Sequence, residues 1–185
     1  MTSNDYRFLT HWQVESTIEE ISAILSNALD LPRWWPSVYL DVQELEPGAT
    51  DGTGRVISLV TKGWLPYTLR WQFRVTKINT PHGFELAAFG DLSGRGVWTF
   101  RQSGHIVEID YLWEVTADKP LLRRLSWLFK PIFAANHHWA MQKGYESLLL
   151  ELARRRAATP EARAAVPAPP PPTFTRWLPA KPSNK

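Results

Sequence analysis

The chain has 185 residues, 44% of them hydrophobic and 12% aromatic with ten Trp, a composition that argues for a folded domain rather than chain-wide disorder. Cysteine is absent, which excludes disulfide scaffolds, Cys-ligated zinc, iron–sulfur clusters and thiol nucleophiles. The formal charge of +3 lies wholly in the C-terminal segment: residues 1–156 hold 17 basic and 17 acidic side chains, and 157–185 hold four basic residues against Glu161.

A neutral domain of this kind lacks the clustered Lys and Arg of a nucleic-acid-binding surface. No apolar run approaches the roughly 18–20 residues that cross a bilayer. Met1–Thr10 has no basic start leading into an apolar stretch, so a cytoplasmic location is expected.

In chain order, Phe8–Val14 reads as a first strand. Ser16 or Thr17 then offers an N-cap to a helix whose first turn is acidic at Glu19 and Glu20. Ile18, Ile21, Ala23, Ile24 and Leu25 form its apolar stripe, and Pro32 closes the region. Arg33-Trp34-Trp35-Pro36 reads as a second short helical turn or a loop.

Six more strands are expected at Tyr39–Leu45, Arg55–Thr61, Tyr67–Ile78, Phe84–Phe89, Val97–Gln102 and Ile106–Thr116. Turn-forming clusters separate them, among them Pro47-Gly48, Gly52-Thr53-Gly54, Pro81-His82-Gly83 and the stretch Gly90 to Gly96. Leu69 to Val75 alternates apolar with charged or polar residues, as expected of a sheet with one wet face.

A long helix is expected over about Ile132 to Arg156. Phe133, His137, Met141, Gly144, Tyr145, Leu148 and Leu152 share one face, with Gln142, Lys143, Glu146 and Glu151 on the other. Arg154, Arg155 and Arg156 close it, where positive charge suits the helix dipole better than it argues for an anion site. The segment 157–185 holds eight of the fifteen prolines and reads as a Pro-rich disordered or extended tail, a spacer or a docking peptide.

The order strand, short helices, strand meander and long helix requires the helix to cover the apolar face of a bent sheet. This plan resembles the helix-grip fold of the START-like superfamily, also called SRPBCC or Bet v 1-like, over about residues 5–156. The resemblance rests on Trp12 to Ile21, Trp34-Trp35-Pro36, Gly96 to Phe100, Tyr111 to Val115 and Asn136 to Gly144, a set similar to the polyketide cyclase/dehydrase-like branch. It implies an α+β domain over 1–156. A curved antiparallel sheet of about seven strands wraps a long C-terminal helix, and two short helices follow the first strand. The same resemblance implies an internal cavity for an apolar molecule between sheet and long helix.

By alternation, the expected cavity lining is Trp71, Phe73, Trp98, Phe100, Tyr111, Trp113, Phe133, His137 and Met141, the alternative being a dry core filled by the same rings. His137 and Tyr111 are the acid/base candidates, with a hydrogen-bonded core histidine as the other reading of His137. Adjacent His137 and His138 diverge on a helix, so no metal site is expected, and no cofactor is implied. Asp110, Glu114 and Glu108 share one strand face, and surface cross-strand pairing with a wet face such as Arg70, Gln72 and Arg74 explains them better than a catalytic carboxylate pair.

The apolar, basic segment 120–131 is a candidate lid or transient membrane contact, or else a short helix packed on the end of the domain. The leading function is a carrier or binder of a small hydrophobic ligand, of lipid, polyketide or aromatic type. The alternative is a cyclase, aromatase or dehydratase using His137 and Tyr111. The chain is expected to be a monomer or homodimer.

Overall fold

The computed structural model describes residues 5–117 and 126–174. Its first half holds strand β1 (Asp5–Glu15), helix α1 (Ile18–Leu25), a 3-10 turn (Ala28–Asp30) and helix α2 (Leu31–Trp34). Six strands follow: β2 (Tyr39–Glu46), β3 (Val56–Thr61), β4 (Leu69–Ile78), β5 (Gly83–Gly90), β6 (Leu92–Ser103) and β7 (Ile106–Ala117). The chain then forms helix α3 (Ser126–Arg156) and a short helix α4 (Pro160–Ala165).

The seven strands make one antiparallel sheet in the order β1-β7-β6-β5-β4-β3-β2, so a meander is closed on one side by the first strand. Register shifts interrupt β2 twice and β4 once, and bulges of this kind bend a sheet beyond its ordinary twist. Alternation assigns the faces. Along β7, Val107, Ile109, Tyr111, Trp113 and Val115 are buried on the concave side while Glu108, Asp110 and Glu114 face outward. At about 1.5 Å per residue, α3 extends some 46 Å and lies across this concave face. The result is the helix-grip architecture expected from the element order.

Thr17 is the N-cap of α1 and completes a capping box with Glu20, satisfying two otherwise orphan donors. Pro32 stands in the first turn of α2, where its missing N–H costs nothing, so it opens a helix rather than ending a region. The stretch Gly90 to Gly96 is only briefly a turn: β6 begins at Leu92 and carries Gly94 and Gly96 within it. Both glycines are there for space. A side chain at Gly94 would strike the Glu114 carbonyl of β7, and one at Gly96 would press on Trp113 and Leu86 at 3.1 Å.

Helix α3 starts at Ser126, six residues before the expected start, and passes through Pro131. Proline usually marks a first turn because it removes one backbone donor, which is why the sequence pattern points to a later beginning. Its inward stripe is as expected, with Met141, Gly144, Leu148 and Leu152 buried. Glu151, assigned to the outer face, is instead only 1% exposed. It accepts two bonds from Arg33 of α2 at 2.6 and 2.8 Å and one from Arg155 at 2.7 Å. A buried carboxylate survives there because guanidinium donors satisfy it.

The terminal arginines do more than complement a dipole. Arg156 reaches back to Glu20 at 2.6 Å and to the Glu15 carbonyl, fastening the end of α3 to the junction of β1 and α1. The outward carboxylates of β7 pair across the sheet, as expected, but with its actual neighbours β1 and β6. Glu114 takes Arg7 and Arg95, Asp110 takes His11, and Glu108 takes Arg101. Arg74 pairs with Glu46.

The proline-rich segment has a defined course as far as Phe174. Thr159 caps α4, Arg154 donates to the Pro167 carbonyl at 2.9 Å, and the Thr173 hydroxyl donates to the Gly63 carbonyl at 3.2 Å. Polyproline backbone makes no internal hydrogen bonds, so its carbonyls are free to accept from the domain. Residues 175–185 lie outside the described residues, as does the first half of the segment 120–131. Among the described residues, no helix is long and apolar enough to cross a membrane.

Candidate functional site

The space between sheet and α3 is hollow. A first cavity of about 150 Å³ lies under the N-terminal half of α3, which contributes Phe133, Asn136, His137, Ala140 and Met141. Its opposite wall comes from the sheet: Tyr6 and Phe8 of β1, Leu69 and Trp71 of β4, and Tyr111, Trp113 and Val115 of β7. Lys62, Gly63 and Tyr67, from the loop after β3, complete it at one side. A second cavity of about 210 Å³ extends over Phe73, Phe84, Leu86 and Trp98 towards α1 and α2. Trp35, Tyr39, Trp71 and Tyr111 belong to both linings, so these four rings form the boundary between the two spaces. An apolar cavity of about 150 Å³ accommodates a benzene-sized molecule.

Local sequence explains the shape. Gly96 stands opposite Trp113 in the β6–β7 ladder, and its missing side chain leaves room for the indole, whose Cε3 would lie 3.1 Å from a Cβ there. Two pairs further, on the same face, Trp98 and Tyr111 stack face to face with ring centroids 4.0 Å apart and planes 14° apart. Trp71 donates from its indole N–H to the Thr61 hydroxyl at 2.9 Å, which fixes that ring at the boundary. On the helix side, Gly63 lets the Asn136 amide approach, and Asn136 accepts from the Leu65 N–H at 3.3 Å.

Eight of the nine residues expected to line the cavity do so. Trp113, Phe133, His137 and Met141 face the first space, Phe73 and Trp98 the second, and Trp71 and Tyr111 both. Phe100 lines neither: it is 1% exposed and packs in the solid part of the core against Phe84 and Trp98. It lies on the same face of β6 as Trp98, two residues further along the strand, and belongs to the buried core.

Among the described residues, His137 has no hydrogen bond to Tyr111 or to a carboxylate. Its ring stacks on Phe8 at 4.2 Å, and its buried Nε2 has no hydrogen-bond partner among them. Burial, and secondarily His138, pushes its pKa down to about 4, so the imidazole is neutral at physiological pH. The phenols of the lining move the other way. Burial raises Tyr6, takes Tyr67 up to about 12, and carries Tyr39 and Tyr111 higher still, so all four are neutral hydrogen-bond donors.

The lining contains a residue the sequence pattern does not reveal. Lys62 follows the last residue of β3 and is only 4% exposed. Its ammonium donates to the Thr173 carbonyl and lies 5.4 Å from the centre of the Phe174 ring. Burial lowers its pKa. Strand alternation places Thr61 inward and Lys62 outward, but the strand ends at Thr61 and the turn redirects the next side chain. Among the described residues, no group of His, Cys, Asp and Glu is arranged to hold a metal ion.

No protein-family model matches the chain, and no curated protein matches it by sequence. Solved structures do match its fold. A protein of Thermus thermophilus shares 12% identity at a TM-score of 0.64, over 79% of this chain and 99% of its own. The Zhui aromatase/cyclase of a Streptomyces species shares 13% at 0.66, over 83% and 97%. A START superfamily protein of Mycobacterium smegmatis shares 14% at 0.59, over 77% and 98%. At these identities the likeness is one of fold: the chain has the START-like helix-grip fold.

Proposed function

We propose that this chain binds a small hydrophobic molecule of aromatic, polyketide or lipid type between the sheet and α3, as a carrier or binding protein. The observation that carries this reading is the pair of adjoining cavities whose shared boundary consists of four aromatic side chains, Trp35, Tyr39, Trp71 and Tyr111. Flat apolar ligands gain from such walls. A two-ring molecule burying about 250 Å² gains about 6 kcal/mol at about 25 cal/mol per Å², before the cost of association. The lining phenols and the neutral His137 supply a few polar groups to orient it.

The test is native mass spectrometry of protein purified gently from cells, with titration of an aromatic and fatty ligand panel followed by Trp fluorescence. A co-purifying molecule, or saturable binding of panel members, is expected. Absence of both overturns the reading.

The enzymatic alternative, a cyclase, aromatase or dehydratase, has two observations in its favour: the unpartnered Nε2 of His137 on the cavity wall, and the aromatase/cyclase among proteins of similar fold. Against it, an acid/base group works best with a pKa near the working pH. His137 at about 4 is a weak base, and Tyr111, far above its ordinary value, is a weak acid. Turnover of a polyketide-like substrate that His137→Ala abolishes, with the fold intact, would favour the alternative.

A further inference from the structure

Among the described residues, Lys62 is the one Lys or Arg side chain in the lining of the first cavity, and no Asp or Glu stands among the lining residues. Burying an ammonium without a counter-charge is costly, and the usual remedy is a carboxylate partner. Among the described residues, Lys62 has none: its partners are the Thr173 carbonyl and the Phe174 ring. An ammonium has three donors, so that carbonyl leaves two unfilled. The lysine also lies between the cavity and the surface, since it lines the space while its neighbour Trp64 and the ring of Phe174 are exposed.

Resting on the ligand-binding reading above, we infer that Lys62 anchors an anionic head group at the surface end of the first cavity, so that the preferred ligand is an apolar acid rather than a neutral hydrocarbon. The rings hold the apolar body, as they would for any flat molecule, and the lysine selects the charge. Thr173 and Phe174 close over the same ammonium, so the C-terminal segment forms the outer cover of the head group.

The experiment uses the full chain and two probes of matched size, 2-naphthoate and the uncharged 2-naphthamide, titrated by Trp fluorescence and calorimetry at pH 7. Wild type is expected to bind naphthoate at least tenfold more tightly than the amide. Lys62→Met should bring the two affinities within about twofold by weakening naphthoate alone, while Lys62→Arg retains most of the preference. Circular dichroism and thermal unfolding check that each variant is folded. Equal affinities in wild type, or a preference that persists in Lys62→Met, overturn the anchor and leave the hydrophobic-binder reading standing. Failure of wild type to bind either probe removes the anchor, and the hydrophobic-binder reading falls with it only when the wider ligand panel and native mass spectrometry are also negative.

Discussion

Gly144 of α3 rests directly on the indole of Trp35. A methyl group there would come under 3.0 Å from Cζ2, Cε2 and Cη2 of that ring. Trp35 is 2% exposed and stands at the boundary of both cavities, so the glycine sets how close the helix approaches the hollow. Gly144→Ala gains about 1 kcal/mol of helix propensity, but overpacking of a buried ring costs more, about 1–3 kcal/mol. A net loss of up to about 2 kcal/mol is expected in denaturant unfolding, together with altered ligand affinity.

Narrowing the first cavity should separate binding from stability. Ala140 lines it from α3 and is half-buried. Ala140→Leu puts apolar volume into empty space, so the melting temperature should hold or rise while affinity for 2-naphthamide falls at least tenfold. Differential scanning fluorimetry and calorimetric titration read the two quantities. A variant that melts lower and binds unchanged would show that ligands occupy some other place.

His137 makes a pH-dependent contribution of definite sign. Its pKa falls from 6.5 in the unfolded chain to about 4 in the fold, so between these values the unfolded chain binds more protons. Stability should therefore decrease as pH falls from about 6.5 to about 4. His137→Phe, which keeps an aromatic ring against Phe8, should flatten that part of a plot of melting temperature against pH. A carbon-bound proton titration by NMR should place the His137 midpoint below pH 5.

Glu20 acts in the next window down. The hydrogen bond from Arg156 leads the causes that hold its pKa at about 2 rather than 4.5. Its contribution is complete above pH 4.5 and is lost as pH falls towards 2. Glu20→Gln keeps the capping hydrogen bonds and removes the charge. It should lower stability modestly at neutral pH, since the pair is partly exposed. It should also make acid unfolding less steep below pH 4.5. Equilibrium unfolding at pH 7, 4.5 and 3 measures both effects.

Breaking the contact between α2 and α3 should cost more. Burial opposes ionisation of Glu151, but hydrogen bonds from Arg33 and Arg155 outweigh it and keep the carboxylate charged. Arg33→Met leaves Arg155 and Arg154 as partners, so a loss of about 1–3 kcal/mol is expected rather than the full cost of an orphaned buried charge. Glu151→Gln combined with Arg33→Met should recover part of the loss in a double-mutant cycle.

How much of this was legible beforehand divides along physical lines. Period-two alternation in Leu69–Val75 and Tyr111–Val115, the Thr17–Glu20 cap and the stripe from Phe133 to Leu152 are local consequences of side-chain order, and each appears where the sequence puts it. Because those patterns also state which face is apolar, eight cavity-lining residues could be named from them. Phe100 could not be told from Trp98, since both obey the same alternation and differ only in what packs above them.

By itself, then, the chain's order of residues determined seven strands, a closing helix and an aromatic concave face, because burial periodicity is encoded within each element. Only the tertiary structure decided where that face stays hollow, which carboxylate of α3 goes inside with Arg33, and that Lys62 lies beneath Thr173. Those outcomes depend on groups far apart in sequence meeting at strand ends and helix junctions. There, the cost of burying charge is set by partners that no local pattern contains.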